Sequence, residues 1–82
     1  LTDLTPTGHV VISRHIDKPG IIGKAATILG QANVNIAGMQ VGRHKPGEEA
    51  LMVLTVDSAV PAEAMEEIKK IDGIHTAKHA EI

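Results

Sequence analysis

The sequence predicts an α+β fold: a four-stranded antiparallel sheet with two helices on one face. Three observations predict it. Short β-branched runs alternate at the period of a strand, as in His9-Val10-Val11-Ile12-Ser13-Arg14-His15. Two segments, 21–32 and 61–71, repeat their apolar residues at the period of a helix. Proline and glycine pairs fall between these runs and divide them. With 82 residues, 43% hydrophobic and 22% charged, the chain has the size and composition of one folded globular domain.

In chain order, residues 1–7 hold Pro6, few apolar side chains and no period, and read as a lead-in or linker to a domain over 8–82. The first strand, His9 to His15, sets Val10 and Ile12 on one face and Val11 and Ser13 on the other. Ile16 to Gly20 breaks it, since Pro19 pushes Lys18 out of the helical region. The first helix, Ile21 to Ala32, carries a stripe of Ile21, Ile22, Ala25, Ile28, Leu29 and Ala32, with Gly30 and Asn33 as exit residues. A second strand runs from Val34 to Val41, a turn at Pro46-Gly47 follows, and Ala50 to Val56 is an almost wholly apolar third strand. Asp57 and Ser58 offer an N-cap and Pro61 suits a first helical turn. The second helix, Pro61 to Ile71, turns Ala64, Met65, Ile68 and Ile71 inward and places Glu66 and Lys70 as an i, i+4 pair. Asp72-Gly73 ends it, and a last strand runs from Ile74 to Ala80.

Strand, helix, strand, strand, helix, strand is two βαβ halves in succession. Right-handed crossovers then put strands one and three at the centre, which is the ferredoxin-like βαββαβ sandwich. The uncovered edge strand is a ready site for pairing with a second copy.

Composition excludes several functions. With no cysteine, disulfides and thiolate metal sites are impossible, and the composition suits a cytoplasmic protein. With no Phe, Trp or Tyr and a formal charge of −2, the base-stacking platforms and cationic surface of nucleic-acid binders are missing. No apolar run reaches the roughly 20 residues of a membrane span, and no signal peptide opens the chain. A domain this short buries only roughly 60% of its unfolded surface, so a partner or a parent chain is the expected support. The opening Leu1, in place of Met, carries the same expectation of a larger protein.

The stretch Ile16 to Gly20 is the most informative. It leads from a strand into a helix, where free N–H groups and the positive end of the helix dipole gather. Gly20 has no side chain, so an anion such as an α-carboxylate can approach the amides of Ile21 and Ile22. His15 and Asp17 flank that point; His15 can donate or accept a hydrogen bond and Asp17 can take an ammonium or hydroxyl. Loop composition alone favours a plainer role, in which Asp17 tightens the turn and His15 ends a strand. Asn35, between Val34 and Ile36, can reach a ligand or a neighbouring chain, or can bond its own backbone. Met39, Met52 and Met65 fall at packing positions. His75 and His79 have metal spacing only on a helix, and on a strand they are surface residues, as is His44 beside the Pro46-Gly47 turn. No resident cofactor or metal is expected. No nucleophile with its base and oxyanion hole can be assembled, and neither Arg14 nor Arg43 sits in the phosphate-cradling loop of an acylphosphatase-like enzyme.

The residues His15-Ile16-Asp17-Lys18-Pro19-Gly20-Ile21-Ile22-Gly23, then Val34-Asn35-Ile36-Ala37 and Met39-Gln40-Val41-Gly42-Arg43, resemble an ACT domain. Glu49 to Leu54 and Ile71 to Ile74 extend the match, which is narrowest to the C-terminal regulatory domain of D-3-phosphoglycerate dehydrogenases. The resemblance implies a sensor in an NAD-dependent enzyme of L-serine biosynthesis: domains pair edge to edge as a homodimer, and L-serine or another small amino acid binds between them to act on the parent's catalytic domains. Carried across, His15 and Asp17 of one chain face Asn35 of the other, with Pro19, Gly20, Ile21 and Ile22 at the carboxylate. The sequence departs from the serine-inhibited form at Asp17, where that form has Asn; an acid there accepts from an ammonium and repels a carboxylate. An iron–sulfur L-serine dehydratase carries a similar domain, and a dimerisation module without effector is the alternative of another class.

Overall fold

In β1 (His9–Ile16), Val11, Ser13 and His15 are buried while Ile12 and Arg14 face water, so alternate residues share a face, and the face the helices cover is the one with the serine and the histidine. This computed structural model describes residues 8–43 and 47–81; the lead-in over 1–7, His44 and Pro46 lie outside them. After β1 come α1 (Ile21–Gln31), β2 (Ile36–Gly42), β3 (Glu49–Val56), α2 (Ala62–Lys69) and β4 (Ile74–Glu81). The strands form one antiparallel sheet in the order β2-β3-β1-β4, which puts β1 and β3 at the centre as the sequence predicts.

Register matches the burial. Val11 lies opposite Leu54, Ser13 opposite Met52 and His15 opposite Ala50, so buried faces buried across the central pair. The helices cover this side: Ile21, Ala25 and Leu29 of α1 and Ala64, Met65 and Ile68 of α2 are buried. All but Ile21 join Val11, Met52, Leu54 and Val56 in one core cluster. With no aromatic ring to fill space, that core is made of branched aliphatics, alanines and two methionines.

The exit from α1 is a Schellman motif. Asn33 takes φ 65, its N–H donates to Gly30 C=O (3.0 Å), and Val34 N–H donates to Leu29 C=O (2.9 Å). Val34 is therefore spent on the helix end, buried beside Leu29, and the second strand begins at Ile36 rather than at Val34. Other expectations change for local reasons. Pro61, extended at ψ 146, occupies the cap position of α2 with no side-chain cap, and Asp57 bonds elsewhere. Glu66 pairs with Lys69, at 3.4 Å, and not with Lys70. Met39 lies opposite Leu54 on the covered side, yet on the edge strand it is 55% exposed; unlike Met52 and Met65, it packs no core in this chain.

Candidate functional site

The site is built on the turn between β1 and α1, which is tied to the rest of the molecule on two sides. Ile16 N–H donates to Gly73 C=O (2.8 Å), reaching the turn before β4. Asp17 N–H donates to Glu48 C=O (2.7 Å) and Asp17 C=O accepts from Gly47 N–H (3.0 Å), reaching the entry to β3. Lys18 adds an exposed ion pair to Asp72 at 3.3 Å.

At the end of this turn Gly20 caps α1 with φ 92, a left-handed conformation that L side chains adopt only with strain. No side chain caps the helix, and its first return bond is from Lys24 N–H to Gly20 C=O (2.9 Å). The amides of Ile21, Ile22 and Gly23 therefore have no acceptor within the helix. A Cβ placed on Gly20 would meet nothing within 4 Å, so the space beside Gly20 itself is open. Beside it lies an open hollow of ≈ 500 Å³ lined by Asp17, Lys18, Pro19, Ile22, Val41 and Arg43.

His15 lies beneath the turn at 2% exposure, and its Nδ1 has no hydrogen-bond partner. Burial pushes its pKa below the ordinary 6.5; Asp17 opposes that shift and His75 adds to it. Ser13, two residues earlier on the same face, is also fully buried with an unpartnered hydroxyl. Asp17 presents its carboxylate at the rim, where Oδ2 accepts from Arg43 Nε at 2.7 Å. The Asp17 side chain is 16% exposed and that of Arg43 58%.

The structure thus gathers His15, Asp17, Pro19, Gly20, Ile21 and Ile22 around one turn. It does not bring Asn35 there. Asn35 precedes β2, and its side-chain Nδ2 donates to Asp57 Oδ2 (2.8 Å) while its C=O accepts from Asp57 N–H (3.0 Å). Asp57 follows Val56, which pairs with His9, whereas the turn follows Ile16, which pairs with Glu49. Asn35 and Asp17 therefore lie beyond opposite ends of β1, a strand about 23 Å long at roughly 3.3 Å per residue.

Arg43 is the residue that reading the sequence missed. The signal was present: with β2, β3 and β1 alternating in direction, the residues that follow β1 and β2 emerge at the same end of the sheet. Of the other described histidines, His9 and His79 stand towards the far end of β1. His9 and His79 stack with ring centroids 5.0 Å apart, and His75 Nδ1 lies 3.0 Å from Glu49 Oε2, a contact that lowers the Glu49 pKa. Among the described residues no three His, Asp or Glu are grouped so as to hold a metal ion, and no helix is long and apolar enough to cross a membrane.

Comparison with known proteins adds the following. The family model described as "ACT domain" matches residues 9–73. The chain is 49% identical over 82 residues to D-3-phosphoglycerate dehydrogenase of Archaeoglobus fulgidus, covering 98% of this chain and 16% of that protein. It is 49% identical over 69 residues to D-3-phosphoglycerate dehydrogenase of Methanocaldococcus jannaschii, covering 84% of this chain and 13% of that protein. It spans, then, only about a sixth of the length of these relatives. In structure it is similar to the ACT domain from GTP pyrophosphokinase of Chlorobium tepidum, with TM-score 0.66 and 15% identity over 92% of this chain and all of the other, a likeness of fold.

Proposed function

This chain belongs to the ACT domain family, and from that membership we propose that residues 8–82 are the amino-acid-binding regulatory domain of a D-3-phosphoglycerate dehydrogenase, with 1–7 as the link to the parent. The parent is a cytoplasmic enzyme whose NAD site lies in its catalytic domains, outside these residues. The observation that carries the reading is the uncapped start of α1. Three amides without helical acceptors open beside Gly20, with the Asp17 carboxylate at the rim and unpartnered, buried His15 below. Such a turn can hold a carboxylate on its amides and an ammonium on Asp17, the two charges of an α-amino acid. The ligand of this reading is L-serine, or a similarly small amino acid, as the resemblance to these dehydrogenases implies.

The mechanism is linkage. Asn35 cannot reach the turn within one chain, so a ligand that touches both engages two copies, and its full set of contacts exists only in the pair. Pairing through edge strand β2 supplies such a second copy. Titration of L-serine into the chain, followed by backbone amide shifts with glycine and L-alanine as controls, tests this. Shifts confined to His15–Ile22 and Asn35, weakened severalfold by Asn35→Ala, are expected. Unchanged affinity in Asn35→Ala removes Asn35 from the site.

One observation favours a second reading, a dimerisation module without effector: Asp17 and Asn35 already have partners inside the chain, Arg43 and Asp57. A dimer indifferent to every amino acid supports it.

A further inference from the structure

Asp17 poses an electrostatic problem for the proposed ligand. A bare carboxylate at the rim attracts the ammonium of an amino acid and repels its carboxylate, which must lie within a few ångströms at the amides of α1. The structure answers that problem with Arg43, which comes from the end of β2, a different element. Its Nε donates to Asp17 Oδ2 at 2.7 Å and both side chains line the same hollow. Among the described residues Oδ1 of Asp17 and the terminal nitrogens of Arg43 make no hydrogen bond, so the pair keeps an acceptor and donors for a ligand. Lys18, the other cation of the hollow, is turned to Asp72 and leaves the neutralisation of Asp17 to Arg43.

We propose that Arg43 is a specificity-determining residue of this site: paired with Asp17, it lets one turn receive both charges of a zwitterion and selects α-amino acids over analogues that lack the carboxylate. The inference rests on the amino-acid reading above and adds the residue that sets its charge selectivity. Without Arg43, Asp17 still takes an ammonium, but the carboxylate meets an unneutralised negative charge. At ~6 Å and an effective dielectric of about 40, that repulsion is worth about tenfold in affinity, or ~1.4 kcal/mol.

The test measures amide-shift titrations of L-serine and of L-serinamide, which keeps the ammonium and hydroxyl and lacks the carboxylate. The proteins are the wild-type chain, Arg43→Gln, Asp17→Asn and the double variant, each shown to be folded by far-UV circular dichroism. Expected are a loss of about tenfold for L-serine in Arg43→Gln, less than about threefold for L-serinamide, and L-serine binding in the double variant within about threefold of Asp17→Asn. Equal losses for the two ligands, no loss for either, or a double variant as weak as Arg43→Gln would overturn the assignment of Arg43 while wild-type binding keeps the amino-acid reading. A wild-type chain that binds neither L-serine nor any other small amino acid overturns both.

Discussion

Two glycines border Ile21, the first residue of α1, and alanine at each should cost very different amounts. Gly20 has φ 92 and Gly73 has φ 102, so both substitutions impose left-handed strain of about 1–3 kcal/mol. At Gly20 the new methyl meets nothing within 4 Å, and strain is the whole effect. At Gly73 it would stand 2.6 Å from Ile21 Cδ1 and 3.1 Å from Lys18 Cε. Lys18 can swing away, but Ile21 is only 2% exposed, so its Cδ1 has to turn within a packed interior. Overpacking of that kind adds about 1–3 kcal/mol. Gly73→Ala should therefore be less stable than Gly20→Ala by about 1–3 kcal/mol, a large share of the ~4–12 kcal/mol that a domain of this length commands. Urea unfolding followed by far-UV circular dichroism measures the difference; a chain without Trp or Tyr offers no intrinsic fluorescence for the purpose. The two variants falling within about 0.5 kcal/mol of each other would refute the steric account of the Gly73–Ile21 contact.

Two further outcomes follow from the buried face of β1. Burial holds the His15 pKa below 6.5, so between the folded value and 6.5 the unfolded chain binds more protons; stability is then complete above about pH 6.5 and falls as the pH drops through that window. Glu49, lowered from 4.5 by its hydrogen bond to His75, acts in the same direction at more acidic pH. Urea midpoints at pH 7.5 and 5.5 in constant salt should show the loss, and His15→Gln should flatten it; an unchanged slope in that variant would assign the effect to other groups. Ser13→Ala removes a fully buried hydroxyl without a partner, so stability should hold or rise by up to about 1 kcal/mol, some 4–8 °C in melting temperature. A fall of more than 1 kcal/mol would mean that the hydroxyl is bonded in solution.

Much of the fold was legible because each element carries its own period. Ile21, Ala25 and Leu29 recur by four, and the buried stripe of α1 follows from that spacing; in β1 the alternation separates two faces without telling which is covered, because the buried one holds Ser13 and His15 and the exposed one Ile12. The boundaries that moved did so where one residue had two possible uses. Val34 is as good a strand former as any neighbour, and only the hydrogen bond to Leu29 commits it to the helix end. Asp57 and Ser58 have the chemistry of caps, but Asp57 is engaged by Asn35 from another element. At the site, the turn from His15 to Ile22 is continuous in sequence and could be found there. Arg43 could not be found by spacing, since it joins Asp17 only through the order in which the strands lie side by side.

The same topology explains why the proposed sensor needs two copies. In a sheet ordered β2-β3-β1-β4, everything after β1 and β2 leaves at one end, and Asn35, before β2, is left at the other. No side-chain movement closes a gap longer than β1, itself about 23 Å at roughly 3.3 Å per residue. A twofold axis across the free edge of β2 would set the start of one β2 against the end of the other, bringing a second copy's Asn35 to the end of the sheet that carries the turn without any change of fold. Met39, midway along Ile36–Gly42, would lie beside such an axis, and among the described residues it is the large hydrophobic residue most exposed. Pairing of two copies at this edge would account for both a methionine with no core to pack and an asparagine set away from the turn, and its symmetry would make ligand binding and pairing a single equilibrium.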